Sequence, residues 1–117
     1  NMKKTFENLE EGDVVYIVRK NGYTVTEVCQ INTLDTGEIR FYLTDGFIGG
    51  YLYNPKNNHL ISVDTIVLNK EDILKKQIQL TKKHLSEINR KIKYYQKKYD
   101  KWNDYKTCLE TQLNENV

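Results

Sequence analysis

The chain is expected to be α+β: a small antiparallel β-barrel of four or five strands, followed by one long C-terminal α-helix that forms a coiled coil. Three observations predict this. All six glycines and the only proline precede residue 56, so the strong turn formers are confined to the first half. Residues 1–69 hold 6 Lys+Arg against 9 Asp+Glu, net −3, whereas residues 70–117 hold 12 against 7, net +5. The spacing of apolar residues also changes, from alternation in the first half to steps of three and four in the second. A chain of 117 residues accommodates one domain and an appendage. The domains are therefore a barrel over 1–69 and a helical oligomerisation segment over 70–117. Asn1, ahead of Met2, is expected to be an expression remnant and is set aside.

The strands follow in order. "DVVYIVRK" (13–20) is rich in Val and Ile, and Asn21-Gly22 after it predicts a type I′ hairpin turn, which needs positive φ at both positions. "YTVTEVCQI" (23–31) pairs back. Asp35-Thr36-Gly37 suits a type I turn closed by a glycine bulge. "EIRFYLT" (38–44) alternates cleanly, with Ile39, Phe41 and Leu43 on one face. Asp45-Gly46 turns the chain into "GGYLYN" (49–54), and "HLISVDTIVL" (59–68) completes the set after the Asn-Pro loop. The expected core is Val14, Val15, Ile17, Val25, Val28, Ile39, Phe41, Leu43, Leu52, Val63 and Val67. It is thin for a free-standing domain, so the following helix is expected to help cover it. Tyr42, Tyr51 and Tyr53 are offered as a recognition face for a peptide or protein.

"LEEGDVVYIVRKNGYTVTEV" resembles the opening of Src-homology-type or KOW-like small barrels, in which a Gly-Asp pair starts the first strand. More loosely, a barrel running into a Lys/Glu-rich helix is similar to small proteins of bacteria and their phages. The resemblance spans residues 8–75. It implies a small antiparallel barrel, a phage or mobile-element source and, for KOW-like domains, contact with nucleic acid or the ribosome.

"NKED" (69–72) is a plausible helix start, with Asn69 as cap and Glu71 and Asp72 favoured by the helix dipole. Beyond it Leu74, Ile78, Thr81, Leu85, Ile88, Ile92, Tyr95, Tyr99, Trp102, Lys106, Leu109 and Leu113 keep alternating steps of four and three without a slip. A sustained 3.5-residue period is what winds helices around each other. The seam is therefore expected to be covered by a second copy of the chain, a homo-oligomer with the dimer favoured. Ile78, Leu85, Ile92, Tyr99, Lys106 and Leu113 take position a; Leu74, Thr81, Ile88, Tyr95, Trp102 and Leu109 take position d. In a parallel pair the flanking g-to-e′ contacts contain no complementary ion pair. Parallel helices, antiparallel helices and a helical hairpin bending near Asn89 or Asn103 all stay open at this point.

Lys76, Lys83, Arg90 and Lys97 recur every seven residues on the outer face, flanked by Lys91 and Lys98 among others. Between residues 75 and 101 there are ten cations against Glu87 and Asp100. A solvated coiled-coil exterior is the ordinary reading of such a face, but exteriors usually mix Lys with Glu. The surplus fits an acidic protein surface, or nucleic-acid phosphates bound with little sequence preference.

Catalytic constellations do not emerge. Ser62, Ser86, His59 and His84 show no nucleophile–base spacing, and Glu7, Glu10, Glu11 and Asp13 read as a solvated lead-in. His59 is expected in a loop and His84 at the edge of the seam. Cys29 and Cys108 have no metal or redox spacing and fit reduced thiols in the cytoplasm. No enzyme, cofactor, metal or membrane span is expected. The function expected is that of a non-enzymatic oligomeric binding protein (adaptor, inhibitor or scaffold), with a nucleic-acid binder as the alternative.

Overall fold

A computed structural model describes residues 3–116; Asn1 and Val117, which open and close the two expected domains, lie outside the described residues. The elements run β1 (Val14–Arg19), β2 (Gly22–Thr33), β3 (Ile39–Leu43), β4 (Tyr51–Asn54), β5 (His59–Ile61), β6 (Ile66–Val67) and α1 (Ile73–Glu115), with short 3-10 turns at Phe6–Asn8 and Lys70–Asp72. The strands form one antiparallel sheet in the order β5-β4-β3-β2-β1-β6, curled into a half-barrel. The fold is α+β with six strands where four or five were expected. Two compact units divide the chain, residues 1–81 and 82–117. The first holds the sheet together with the opening turns of α1, so backbone type changes near residue 70 while compactness changes near residue 81.

The extra strand comes from a split. The single run expected over 59–68 breaks at Ser62-Val63-Asp64, where Asp64 N donates to Ser62 Oγ at 2.9 Å and Ser62 Oγ donates to the Asp64 carbonyl at 2.5 Å. This side-chain turn carries the chain to the opposite edge of the sheet, where Tyr16 pairs with Val67 and Ile17 with Ile66. β2 serves both halves of the curl. Its first residues pair with β1 and its last with β3, and the register shifts between Val28 and Gln30. A bulge at that point bends the strand and increases its twist, which closes the sheet over its own core.

The expected turns fare differently. At the second, Gly37 N donates to Leu34 O (2.9 Å), Leu34 N to Glu38 O (2.7 Å), and Gly37 has φ +87, the bulge geometry that its glycine predicts. At the first, Arg19 pairs with Gly22, so Lys20 and Asn21 make the loop. Neither Asn21 nor Gly22 has positive φ, and the type I′ turn expected there is not formed. A loop one residue later would slide the pairing by two residues and keep Val15 and Ile17 on the inner face, so the alternation of the two strands does not by itself place the turn.

Two apolar clusters hold the first unit together. Leu9, Val15, Ile17, Val28, Phe41, Leu43, Tyr51 and Ile66 form the larger, with Phe6 packed against it. Val18, Val67 and Ile73 form the smaller, with Tyr16 and Leu80 alongside. The opening of α1 thus covers the outer side of β1, as the thin core requires. Of the expected core, Val14, Val25 and Val63 are exposed and Leu52 is half-buried. In β1 the pleat sends Val14 outward when Val15 points in, and Val63 sits in the side-chain turn. The expected recognition face is likewise corrected. Tyr51 and Tyr53 are buried and Tyr42 is half-buried, because β4 follows the phase of β3 and turns its tyrosines inward.

Tyr51 anchors the closing loops. Its hydroxyl donates to Asp64 Oδ2 at 2.5 Å and accepts from Phe47 N at 2.8 Å. Burial, and then the hydrogen bond to and charge of Asp64, outweigh the Phe47 N–H and push its pKa up to about 12. Gly46 is there for room: a Cβ would stand 2.6 Å from the Tyr51 hydroxyl and 2.8 Å from Leu43 Cβ. The N-terminal segment is tied down beside this core. Phe6 stacks on Tyr53 with ring centroids 4.9 Å apart. Lys4 Nζ meets Asp13 Oδ2 at 2.9 Å. Asn69 does not cap the helix; its carboxamide mimics a strand peptide, accepting from Lys4 N (3.0 Å) and donating to Lys4 O (2.9 Å).

Candidate functional site

The helix explains itself locally. It is 43 residues without Gly or Pro, dominated by good helix formers. Thr81, Thr107 and Thr111 return their hydroxyls to the carbonyls of Gln77, Asn103 and Thr107, at 2.8, 3.1 and 3.0 Å, and so leave no dangling donor. α1 runs unbroken through Asn89 and Asn103, so the helical hairpin considered from sequence is not formed.

Within the first unit, α1 meets the sheet with Ile73 and Leu80, while Gln77 Nε2 donates to Arg19 O at 3.3 Å. Those three lie on one face of the helix. Leu74 and Ile78, the first two residues of the expected seam, are one residue further round and stay exposed. The contact with the sheet therefore does not consume the three-and-four row.

Within the second unit that row is bare. Leu85, Ile88, Ile92, Tyr95, Tyr99, Trp102, Leu109 and Leu113 are all exposed, from 38% at Ile88 to 66% at Tyr99 and Leu113. Ile88, Lys91, Ile92, Tyr95, Gln96 and Tyr99 line a shallow groove along it. Tyr94 and Tyr105, which lie off the row, widen its aromatic part. Tyr94 meets Tyr95 edge-on at 5.4 Å, and Trp102 meets Tyr105 edge-on at 5.8 Å. Sequence spacing located the row and left these two rings off it; for Tyr105 the available signal was Trp102 three residues earlier, whereas the i,i+1 spacing of Tyr94 and Tyr95 carries none.

The basic face consists of Lys76, Lys83, Arg90, Lys91, Lys97 and Lys98. Among the described residues none of these forms an ion pair, and the one such pair within α1 is the distal Lys106–Glu110 at 3.8 Å. Lys98 Nζ lies 4.8 Å from the centroid of the Tyr94 ring, a cation–π contact at an exposed site.

One concavity was not anticipated. A groove of about 420 Å³ in the first unit is walled by Lys3, Lys4, Phe6, Tyr53, Asn69, Asp72, Lys75 and Lys76, among others. Lys3 is held by Asp72 at 3.1 Å and Lys4 by Asp13, so half of its lysines are already neutralised. It escaped the sequence reading because it needs the N-terminal segment laid against the start of α1, a contact between residues more than sixty apart. His59 opens strand β5 instead of lying in a loop. Cys29 and Cys108 are free thiols, both exposed. No group of three or more His, Cys, Asp or Glu among the described residues is placed to hold a metal ion. No helix among them is long and apolar enough to cross a membrane.

Comparison of the chain with protein-family models, with curated proteins and with solved structures finds no match in any of the three. The functional reading therefore rests on the two rows of α1.

Proposed function

We propose that this protein is a non-enzymatic, cytoplasmic binding protein of phage or mobile-element origin. In this reading it presents a Src-homology-like half-barrel, self-associates through α1 as a coiled coil, and acts as an adaptor, inhibitor or scaffold. One observation carries it: eight large apolar side chains in a single three-and-four row, left in water by a lone helix. A soluble chain seldom exposes so continuous an apolar stripe without a partner, and the 3.5-residue period is that of a helix wound on another helix. Replacing Ile88 and Ile92 together by Asp places charge in adjacent seam layers. The sedimentation mass is expected to fall from that of a dimer to that of a monomer. A wild-type monomer, or an oligomer unmoved by both substitutions, rejects the reading.

A second reading is supported by the unpaired cations of the basic face: a nucleic-acid binder with little sequence preference, gripping phosphates with Lys76, Lys83, Arg90, Lys91, Lys97 and Lys98. An acidic protein surface would use the same groups. Changing Lys76, Lys83, Arg90 and Lys97 to Gln is expected to abolish retention of an oligonucleotide at about 50 mM salt. Wild-type protein that retains none under those conditions rules out the nucleic-acid reading.

A further inference from the structure

Resting on the self-association proposed above, we infer that the second copy packs antiparallel along α1, with the pair centred between Lys93 and Tyr94. The unbroken helix removes the hairpin, so α1 does not cover its own row. The row itself then distinguishes the two orientations.

In a parallel pair each seam residue faces its own copy. Tyr95, Tyr99 and Trp102 would then stack three consecutive ring-on-ring layers into a seam whose other half is Leu and Ile. Lys106 would face Lys106, burying like charges against each other. In an antiparallel pair a positions face d positions, and about the Lys93–Tyr94 midpoint every one of the twelve seam residues finds a partner. Ile92 faces Tyr95, Ile88 faces Tyr99 and Leu85 faces Trp102, so each wide ring meets an aliphatic residue and the layers keep a nearly even width. Thr81 and Lys106, the two polar residues of the row, fall opposite each other. Ile78 with Leu109 and Leu74 with Leu113 close the ends. Shifting the pair by a heptad in either direction separates Thr81 from Lys106 and leaves end residues uncovered. Interdigitation of large with small side chains is what packs a seam to the density of a protein interior.

Charge points the same way. Lys75, Lys76, Lys82 and Lys83 form a block with no acid among them, and the segment opposite in the antiparallel pair holds Asp104 and Glu110 against Lys106 alone. In a parallel pair the block of four lysines faces itself. Lys75 also falls beside Glu110 of the second copy. Lys91 beside Lys98 is the like-charge flank of this arrangement, and both remain at the solvent edge.

Spin labelling tests the orientation. Cys29 and Cys108 are replaced by Ser, Asp104→Cys carries the label on the outer face, and the full chain is measured by double electron–electron resonance alongside its sedimentation mass. Antiparallel packing offsets the two labels by about 31 Å along the axis, giving about 35–40 Å between them, whereas parallel packing brings them to about 20–25 Å. A dimer with the long distance supports the inference. A dimer with the short distance overturns the orientation while leaving self-association standing. A monomer at every concentration overturns both.

Discussion

The two units use the same kinds of side chain to opposite ends. Phe41, Tyr51 and Tyr53 in the sheet are 0%, 1% and 4% exposed, while Tyr95, Tyr99 and Trp102 on the helix are 63%, 66% and 65% exposed. In the sheet, strand pairing brings distant residues together. The curl at the β2 bulge then covers their rings with β1, β6 and the N-terminal Phe6. In the helix every backbone hydrogen bond is local, so the element forms without help yet has no second face to fold over its stripe. A sheet can bury aromatic residues within one chain. A lone helix displays them.

This contrast is most open to attack where the expected effects are largest. Phe41→Ala removes a ring with no exposed surface and is expected to lower the stability of the first unit by about 3–5 kcal/mol, at any protein concentration, by denaturant unfolding. Leu85→Ala, which shortens an exposed residue of the row, should instead leave that stability unchanged and act only on the self-association proposed above. A concentration-independent loss from Leu85→Ala as large as that from Phe41→Ala would erase the distinction.

Tyr51→Phe is next. It leaves Phe47 N and Asp64 without the hydroxyl, for an expected loss of about 1–3 kcal/mol near neutral pH. The same group also gives the first unit a pH dependence. Its folded pKa, about 12, lies above the ordinary tyrosine value of 10.0. The contribution is therefore complete below about pH 10 and is lost as pH rises toward 12, amounting to about 2–3 kcal/mol over that window. The stability difference between wild type and Tyr51→Phe should shrink across it. A constant difference would show that the hydroxyl is not held protonated by the fold.

The smallest effect belongs to Asp13. Burial raises its carboxyl, but the hydrogen bonds from Lys4 Nζ and Glu10 N and the charge of Lys4 outweigh that and hold it below 3.8. Its contribution is present above the unfolded value and fades as pH falls through the lowered folded one. Asp13→Asn should remove under about 1 kcal/mol at pH 7 and leave the acid limb of the stability curve slightly flatter. A steeper acid limb in the variant would contradict the assignment.

Much of this molecule is written in local order. The long helix, the three-and-four row from Leu74 to Leu113, the inward Ile39, Phe41 and Leu43, and the glycine bulge at Gly37 follow from periodicity and turn chemistry within a few residues, because a helix or a tight turn is settled by neighbours in the chain. Features that depend on distant residues could not be read that way. Tyr51 and Tyr53 look like surface tyrosines until β4 pairs with β3. Asn69 looks like a cap until Lys4 arrives from the other end of the chain, and residues 59–68 look like one strand until Ile66 and Val67 find β1. The composition and spacing of the chain by themselves determined which residues make helix, turn and apolar row. Only tertiary structure decided which faces are covered, since burial is a property of what the rest of the chain brings into contact, and that contact is set by pairing across tens of residues.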